Sequence, residues 1–143
     1  PMVSRITIAF KLEKLKEYTG YLKKYQKSSL SEIKKDYTLQ GALLHYLQLS
    51  IECTLDIAEL IICELKLHKP QEAKGVFGIL TEHKIISGEL SDQLTSAAKF
   101  RNLIVHEYAA VDLKRVYDHL HSDFKDFEVF LQSIARFLRK RNQ

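Results

Sequence analysis

LQGALLHYLQLSIECTLDIAELIICELKL, residues Leu39 to Leu67, decides the fold class. At about 100° per residue on a helix, Leu43, Leu44, Leu47, Ile51, Leu55, Ala58, Ile61, Ile62 and Leu65 cover most of the circumference. A helix apolar on nearly every side belongs at the centre of a domain, touched from several directions. Pro70 lies beyond its end and blocks continuation. The exception to the apolar surface is a stripe of His45, Gln48, Glu52, Asp56 and Glu59, spaced three or four apart. That stripe is either a solvated face or the wall of a cleft.

The flanking chain follows the same period. Glycine and proline are scarce, at five and two residues, and apolar residues recur at three and four rather than two, so no sheet is expected. A first helix is expected over about 4–25, with the stripe Ile8, Leu12, Leu15, Tyr18 or Thr19, and Leu22, slightly weakened by Gly20. Ser28, Ser29 and Ser31 offer N-caps for a short helix over 30–36, and Ser29 with Glu32 has the spacing of a capping box. The register is expected to break around 37–41 before the central helix. Further helices are expected over about 71–83 and 89–106, the latter capped by Ser87 or Gly88, with Glu89 favourably placed at its start. After a short link at Ala109, Ala110 and Val111, Asp112 caps a last helix running to about 140. Its stripe is Leu113, Val116 or Tyr117, Leu120, Phe124, Phe127, Leu131, Ile134 and Leu138. This is an all-α pattern, an antiparallel bundle of four or five helices.

Composition bounds the class. A chain of 143 residues that is 45% hydrophobic has enough material for one core, so residues 1–143 read as a single domain. Pro1, standing before Met2, is expected to be foreign to the native start. The first residues lack a signal peptide's apolar region, and no run reaches the roughly 18 apolar residues of a membrane span. A cytoplasmic protein with no membrane association is expected. Cys53 and Cys63, ten residues apart on one helix, are separated by about 15 Å of rise. That is too far for a disulfide, and both read as buried apolar fillers. The net charge of +4 is uneven: residues 1–35 carry nine Lys or Arg against three Glu, and residues 36–100 carry five against nine acids. Basic ends permit a polyanionic partner without requiring one.

The densest cluster of chemistry is Ala97–Tyr108, AAKFRNLIVHEY. An arginine, an asparagine, a histidine, a glutamate and a tyrosine fall within eight residues, around an apolar trio, Leu103, Ile104 and Val105, expected to be buried. On a helix Asn102 and His106 share a face, whereas Arg101 and His106 lie roughly 140° apart. Glu52 and Asp56 of the polar stripe are candidates to orient Arg101 or His106. A phosphodiester with a neighbouring hydroxyl can be cut without a metal, because that hydroxyl is an internal nucleophile. The reaction needs a base, an acid and positive charge at the phosphorus. Histidine titrates near neutrality, and arginine grips phosphate oxygens in two places. Arg101, His106 and Asn102 are of the right types. His119 and His121 are two apart on different faces and make no zinc pair, and His45, His68 and His83 are isolated. There is no H-E-x-x-H, C-x-x-C or Gly-rich phosphate loop. Metal-dependent hydrolysis, nucleotide transfer and redox chemistry by this chain alone are therefore not expected, nor is a bound metal or cofactor.

Arg101-Asn102-x-x-x-His106-x-Tyr108 resembles the R-x4-H-x-Y signature of the HepT-type HEPN ribonuclease toxins. Gln40–Asp56 and Ile85–Asp112 are also similar to that family, and the resemblance spans about Leu12 to Phe130. It implies a homodimeric helical bundle and a metal-independent endoribonuclease. Two copies of the motif would face one cleft, and the substrate would be a tRNA or an mRNA. It further implies a type VII-like toxin–antitoxin pair, in which a minimal nucleotidyltransferase antitoxin adenylylates Tyr108. A bulky anion beside Arg101 and His106 would repel RNA. Two other readings stay open. The chain can be a non-catalytic nucleotide- or substrate-binding subunit of such a nucleotidyltransferase. Alternatively, Arg101 and His106 can be structural, Arg101 paired with Glu52 or Asp56 and His106 capping a helix end.

Overall fold

The computed structural model describes residues 2–67, 75–107 and 110–141, with backbone alone for 2–4. All regular structure among them is helical, in six helices: α1 (Met2–Lys23), α2 (Leu30–Lys35), α3 (Tyr37–Glu64), α4 (Gly75–Glu82), α5 (Gly88–His106) and α6 (Leu113–Arg141). Four are long and form the bundle, while α2 and α4 are short braces. The central position of α3 follows from its sequence: it packs against each of the other five helices. Leu43, Leu47, Ile57, Ala58 and Ile61 are buried along it.

Local signals set most of the boundaries. The capping box forms, with Ser29 Oγ accepting from the Glu32 amide at 3.1 Å and the Ser29 amide donating to Glu32 Oε1 at 3.2 Å. The break before the central helix falls at one residue, Asp36, not across 37–41. Asp36 ends α2 and caps α3, its Oδ1 accepting from the Leu39 amide at 3.1 Å. Ser87 Oγ accepts from the Leu90 amide and caps α5. Asp112 Oδ1 accepts from the Lys114 amide at the start of α6. The ends of α3 and α4 close in one way, although glycine is absent from both. Lys66 (φ 56°) and Lys84 (φ 58°) turn left-handed. The next amides, of Leu67 and Ile85, reach back to the Ile62 and Leu80 carbonyls at 2.9 Å. The helix expected over 71–83 is seen as α4, from Gly75, and residues 68–74 lie outside the described residues.

Two expectations about burial are corrected. Of the trio Leu103, Ile104 and Val105, only Ile104 is buried. Leu103 is half-buried and Val105 is 45% exposed, because three consecutive helical residues span some 200° and one face cannot hold them all. Cys53 is buried, its Sγ 3.1 Å from the Lys11 carbonyl, but Cys63 is exposed and both thiols are free. Burial pushes the Cys53 thiol up to about 11, so it stays protonated. On α6 the apolar stripe holds, yet Asp123 and Asp126 are also buried within it. His119, 16% exposed at the side chain, donates from Nδ1 to the Asp123 carboxylate at 2.9 and 3.0 Å. Among the described residues no helix is long and apolar enough to cross a membrane.

Candidate active site

The site is built where α5 crosses the polar stripe of α3. Phe100, 1% exposed, anchors α5 immediately before Arg101. The His119 ring stacks on it at 4.0 Å and 5°, and the Arg115 guanidinium carbon lies 5.6 Å from its centroid. With Phe100 turned inward, Arg101 faces α3. Its Nε and Nη2 donate to a single oxygen, Glu52 Oε1, at 3.1 and 3.0 Å. Its Nη1 donates to Asn102 Oδ1 at 2.9 Å. Gln48, one turn back on α3, donates from Nε2 to the same Glu52 oxygen at 3.1 Å. The Arg101 and Glu52 side chains are each 32% exposed, so the pair is reached by water and by ligands.

Asp56, one turn beyond Glu52, does not touch Arg101. Lys11 of α1 donates to its Oδ2 at 3.0 Å, and that bond holds the Lys11 amine above its ordinary value. His106 is the last residue of α5, exposed, and hydrogen-bonds to none of the described residues. The Glu107 amide after it closes the helix on the Leu103 carbonyl at 2.9 Å. Asn102 and Val105 are exposed as well. The structure thus joins Arg101, Asn102, Glu52 and Gln48 into one network, sets Asp56 with Lys11, and leaves His106 at the helix end with no hydrogen-bond partner among the described residues. Tyr108 lies outside the described residues. No three His, Cys, Asp or Glu side chains gather as a metal-holding group among the described residues.

Sequence reading did not single out Gln48 as a partner of Glu52, or the Phe100–His119–Asp123 support behind α5. Gln48 had a signal, lying four residues before Glu52 on the polar stripe. The His119–Asp123 pair had the same spacing on α6, but its stacking on Phe100 depends on how α5 and α6 pack.

A half-exposed arginine beside an exposed asparagine and histidine on the penultimate long helix, with a carboxylate of the central helix bracing the arginine, makes a site able to receive a phosphate. A family model described as Ribonuclease HepT-like matches residues 11–134, and the chain belongs to that family. It is 34% identical over 104 residues to the mRNA nuclease HepT of Shewanella oneidensis, covering 73% of this chain and 78% of that protein. It is 26% identical over 136 residues to the tRNA nuclease HepT of Aphanizomenon flos-aquae, covering 95% and 92%. The solved structure of a tri-AMPylated Shewanella oneidensis HEPN toxin in complex with MNT antitoxin matches with a TM-score of 0.80 at 29% identity. That match covers 90% of this chain and 96% of the toxin. YutE of Bacillus subtilis shares the fold, with a TM-score of 0.81 at 20% identity over 96% of this chain and 92% of YutE.

Proposed function

We propose that this chain is a metal-independent endoribonuclease, the cytoplasmic toxin of a toxin–antitoxin pair whose antitoxin is a minimal nucleotidyltransferase. The observation that carries the reading is the half-exposed Arg101 guanidinium, fixed by Glu52 on the same helix as an exposed His106. An exposed ion pair of this kind contributes only about 0.2–1 kcal/mol to stability. It serves better to hold a charge in place than to hold a fold together. The names of the HepT relatives, nucleases for mRNA and for tRNA, support the same substrate class.

In this reaction the 2′-oxygen attacks phosphorus as a base removes its proton. The P–O5′ bond breaks, and the departing O5′ takes a proton. The products are a 2′,3′-cyclic phosphate and a 5′-hydroxyl, with no water consumed. Arg101 stabilises the charge that builds on the phosphorane, and Asn102 steadies the guanidinium. His106 serves as base or acid, and the other role falls to the His106 of a second copy, the two motifs facing one cleft. Dimerisation also answers the roughly 140° between Arg101 and His106 on one helix. Tyr108, two residues beyond His106, is the acceptor for adenylyl groups, which would place negative charge where phosphate must bind.

One observation favours a second reading. Glu52 occupies two donors of Arg101 and offsets part of its charge, which suits a subunit that only holds nucleotide for a nucleotidyltransferase. The test uses purified, partner-free protein with total cellular RNA in excess EDTA, wild type beside His106→Ala. Cleavage by the wild type alone supports the nuclease. Intact RNA with folded, unmodified wild type moves the assignment to the binding subunit. For the regulatory half, incubation with the partner and ATP should add AMP groups to Tyr108 by mass spectrometry. A Tyr108 peptide that never gains mass would remove that role.

A further inference from the structure

The helix α1 turns most of its apolar residues inward, yet Phe10 is 58% exposed. Its ring borders an open hollow of about 150 Å³ between α1 and α3, also lined by Lys14, Tyr18, Leu49, Glu52 and Asp56. Glu52 is shared: it walls this hollow and holds Arg101. The hollow therefore opens beside the guanidinium proposed to grip the scissile phosphate. Resting on that nuclease reading, the geometry points to a nucleobase subsite here, in which a single unpaired RNA base next to the cleaved phosphate stacks on Phe10 and offers amino-group protons to Glu52 and Asp56.

The chemistry of the walls carries this. An exposed aromatic face is what unstacked single-stranded bases use. The Lys14 ammonium lies over the Phe10 ring, 5.6 Å from its centroid, so a base stacking on that face moves it aside, toward the base's own backbone phosphate. Glu52 Oε1 already accepts from Arg101 and Gln48, while its Oε2 accepts from none of the described residues. Asp56 takes Lys11 on Oδ2 and leaves Oδ1 open in the same sense. Two open carboxylate oxygens suit guanine, adenine and cytosine, which carry exocyclic amino donors. Uracil, with two carbonyls and no amino group, is disfavoured. The hollow is a poor centre for a protein interface, because four of its eight lining residues are charged, Lys11, Lys14, Glu52 and Asp56, and charged residues are depleted at interface cores.

The test measures binding of 2′-O-methyl tetranucleotides, which lack the nucleophile and survive any nuclease. UUGU, UUAU and UUCU should each bind wild type at least about fivefold more tightly than UUUU. Loss of one aromatic stack costs roughly tenfold or more, so Phe10→Ala should weaken all three by that factor. Asp56→Asn should bring UUUU to within about twofold of the others. The subsite is overturned by Phe10→Ala binding like wild type, or by UUUU binding as tightly as the rest. It is also overturned if Phe10→Ala sediments at half the wild-type mass, which would assign this face to a second copy. Cleavage of total RNA is scored separately. Cleavage with Phe10-independent binding removes the subsite and keeps the nuclease, and Phe10-dependent, base-selective binding without cleavage does the reverse.

Discussion

Replacing Glu52 by alanine isolates what its carboxylate does for Arg101. The pair is half-exposed on both sides, at 32%, so its loss should cost at most about 1 kcal/mol. For a chain of this size that is about 3 °C in Tm. The effect on catalysis should be larger and of a different kind. Without Glu52, Arg101 keeps, among the described residues, only its bond to Asn102, and its long side chain regains rotamers. Ordering it again in each transition state costs up to about 2 kcal/mol, about thirtyfold in kcat at 1.36 kcal/mol per decade. Removing the negative charge 3.0 Å from the guanidinium also strengthens ground-state attraction to phosphate, so KM should fall on an oligouridylate, whose bases offer no amino group to Glu52. The signature is kcat down by tenfold to thirtyfold with KM lower on that substrate, read from initial rates on the labelled oligouridylate beside a thermal melt. Glu52→Gln, which retains an acceptor, should recover part of kcat. A Glu52→Ala protein that melts more than about 10 °C lower while its folded fraction cleaves at the wild-type rate would refute the reasoning. The pair would then belong to the fold and not to the chemistry.

His106→Ala and Arg101→Ala should each abolish RNA cleavage while moving Tm by no more than about 3 °C, since one side chain is exposed and the other half-exposed. Val105, four residues beyond Arg101 and 45% exposed, should lie in the proposed dimer face. Val105→Asp should sediment as a monomer and lose cleavage, and a dimeric, active variant would count against the shared cleft. Asp126 predicts a pH effect. Burial, then the nearby Asp123 and Glu89 carboxylates, push its carboxyl up to about 6 from an ordinary 3.8. A raised folded value means that the stabilisation is complete below about pH 4 and is lost as pH rises through 6. Asp126→Asn should therefore be more stable than wild type at pH 8, by on the order of 1 kcal/mol, and equal to it near pH 4. Melts at the two pH values check this, and a variant less stable at pH 8 would contradict it.

The sequence by itself determined the helices and some of their ends, although the break at Asp36 was expected a residue or more later. A 3.6-residue period over Leu39–Leu67 with apolar residues on nearly every side can only be a buried central helix. Ser29, Asp36 and Ser87 cap through bonds made within three residues. The residue types of the site were equally legible, because Arg101, Asn102 and His106 stand within six positions. Tertiary structure decided which charges meet. Glu52 and Asp56 lie one turn apart on one stripe, and nothing local assigns Arg101 to the first and Lys11 to the second. That choice depends on where α5 and α1 cross α3. Burial of Asp123 and exposure of Val105 depend likewise on α5–α6 packing and helix rotation. Short-range periodicity and hydrogen bonding write themselves into neighbouring residues, whereas contacts 45 or 49 positions apart exist only once the bundle has closed.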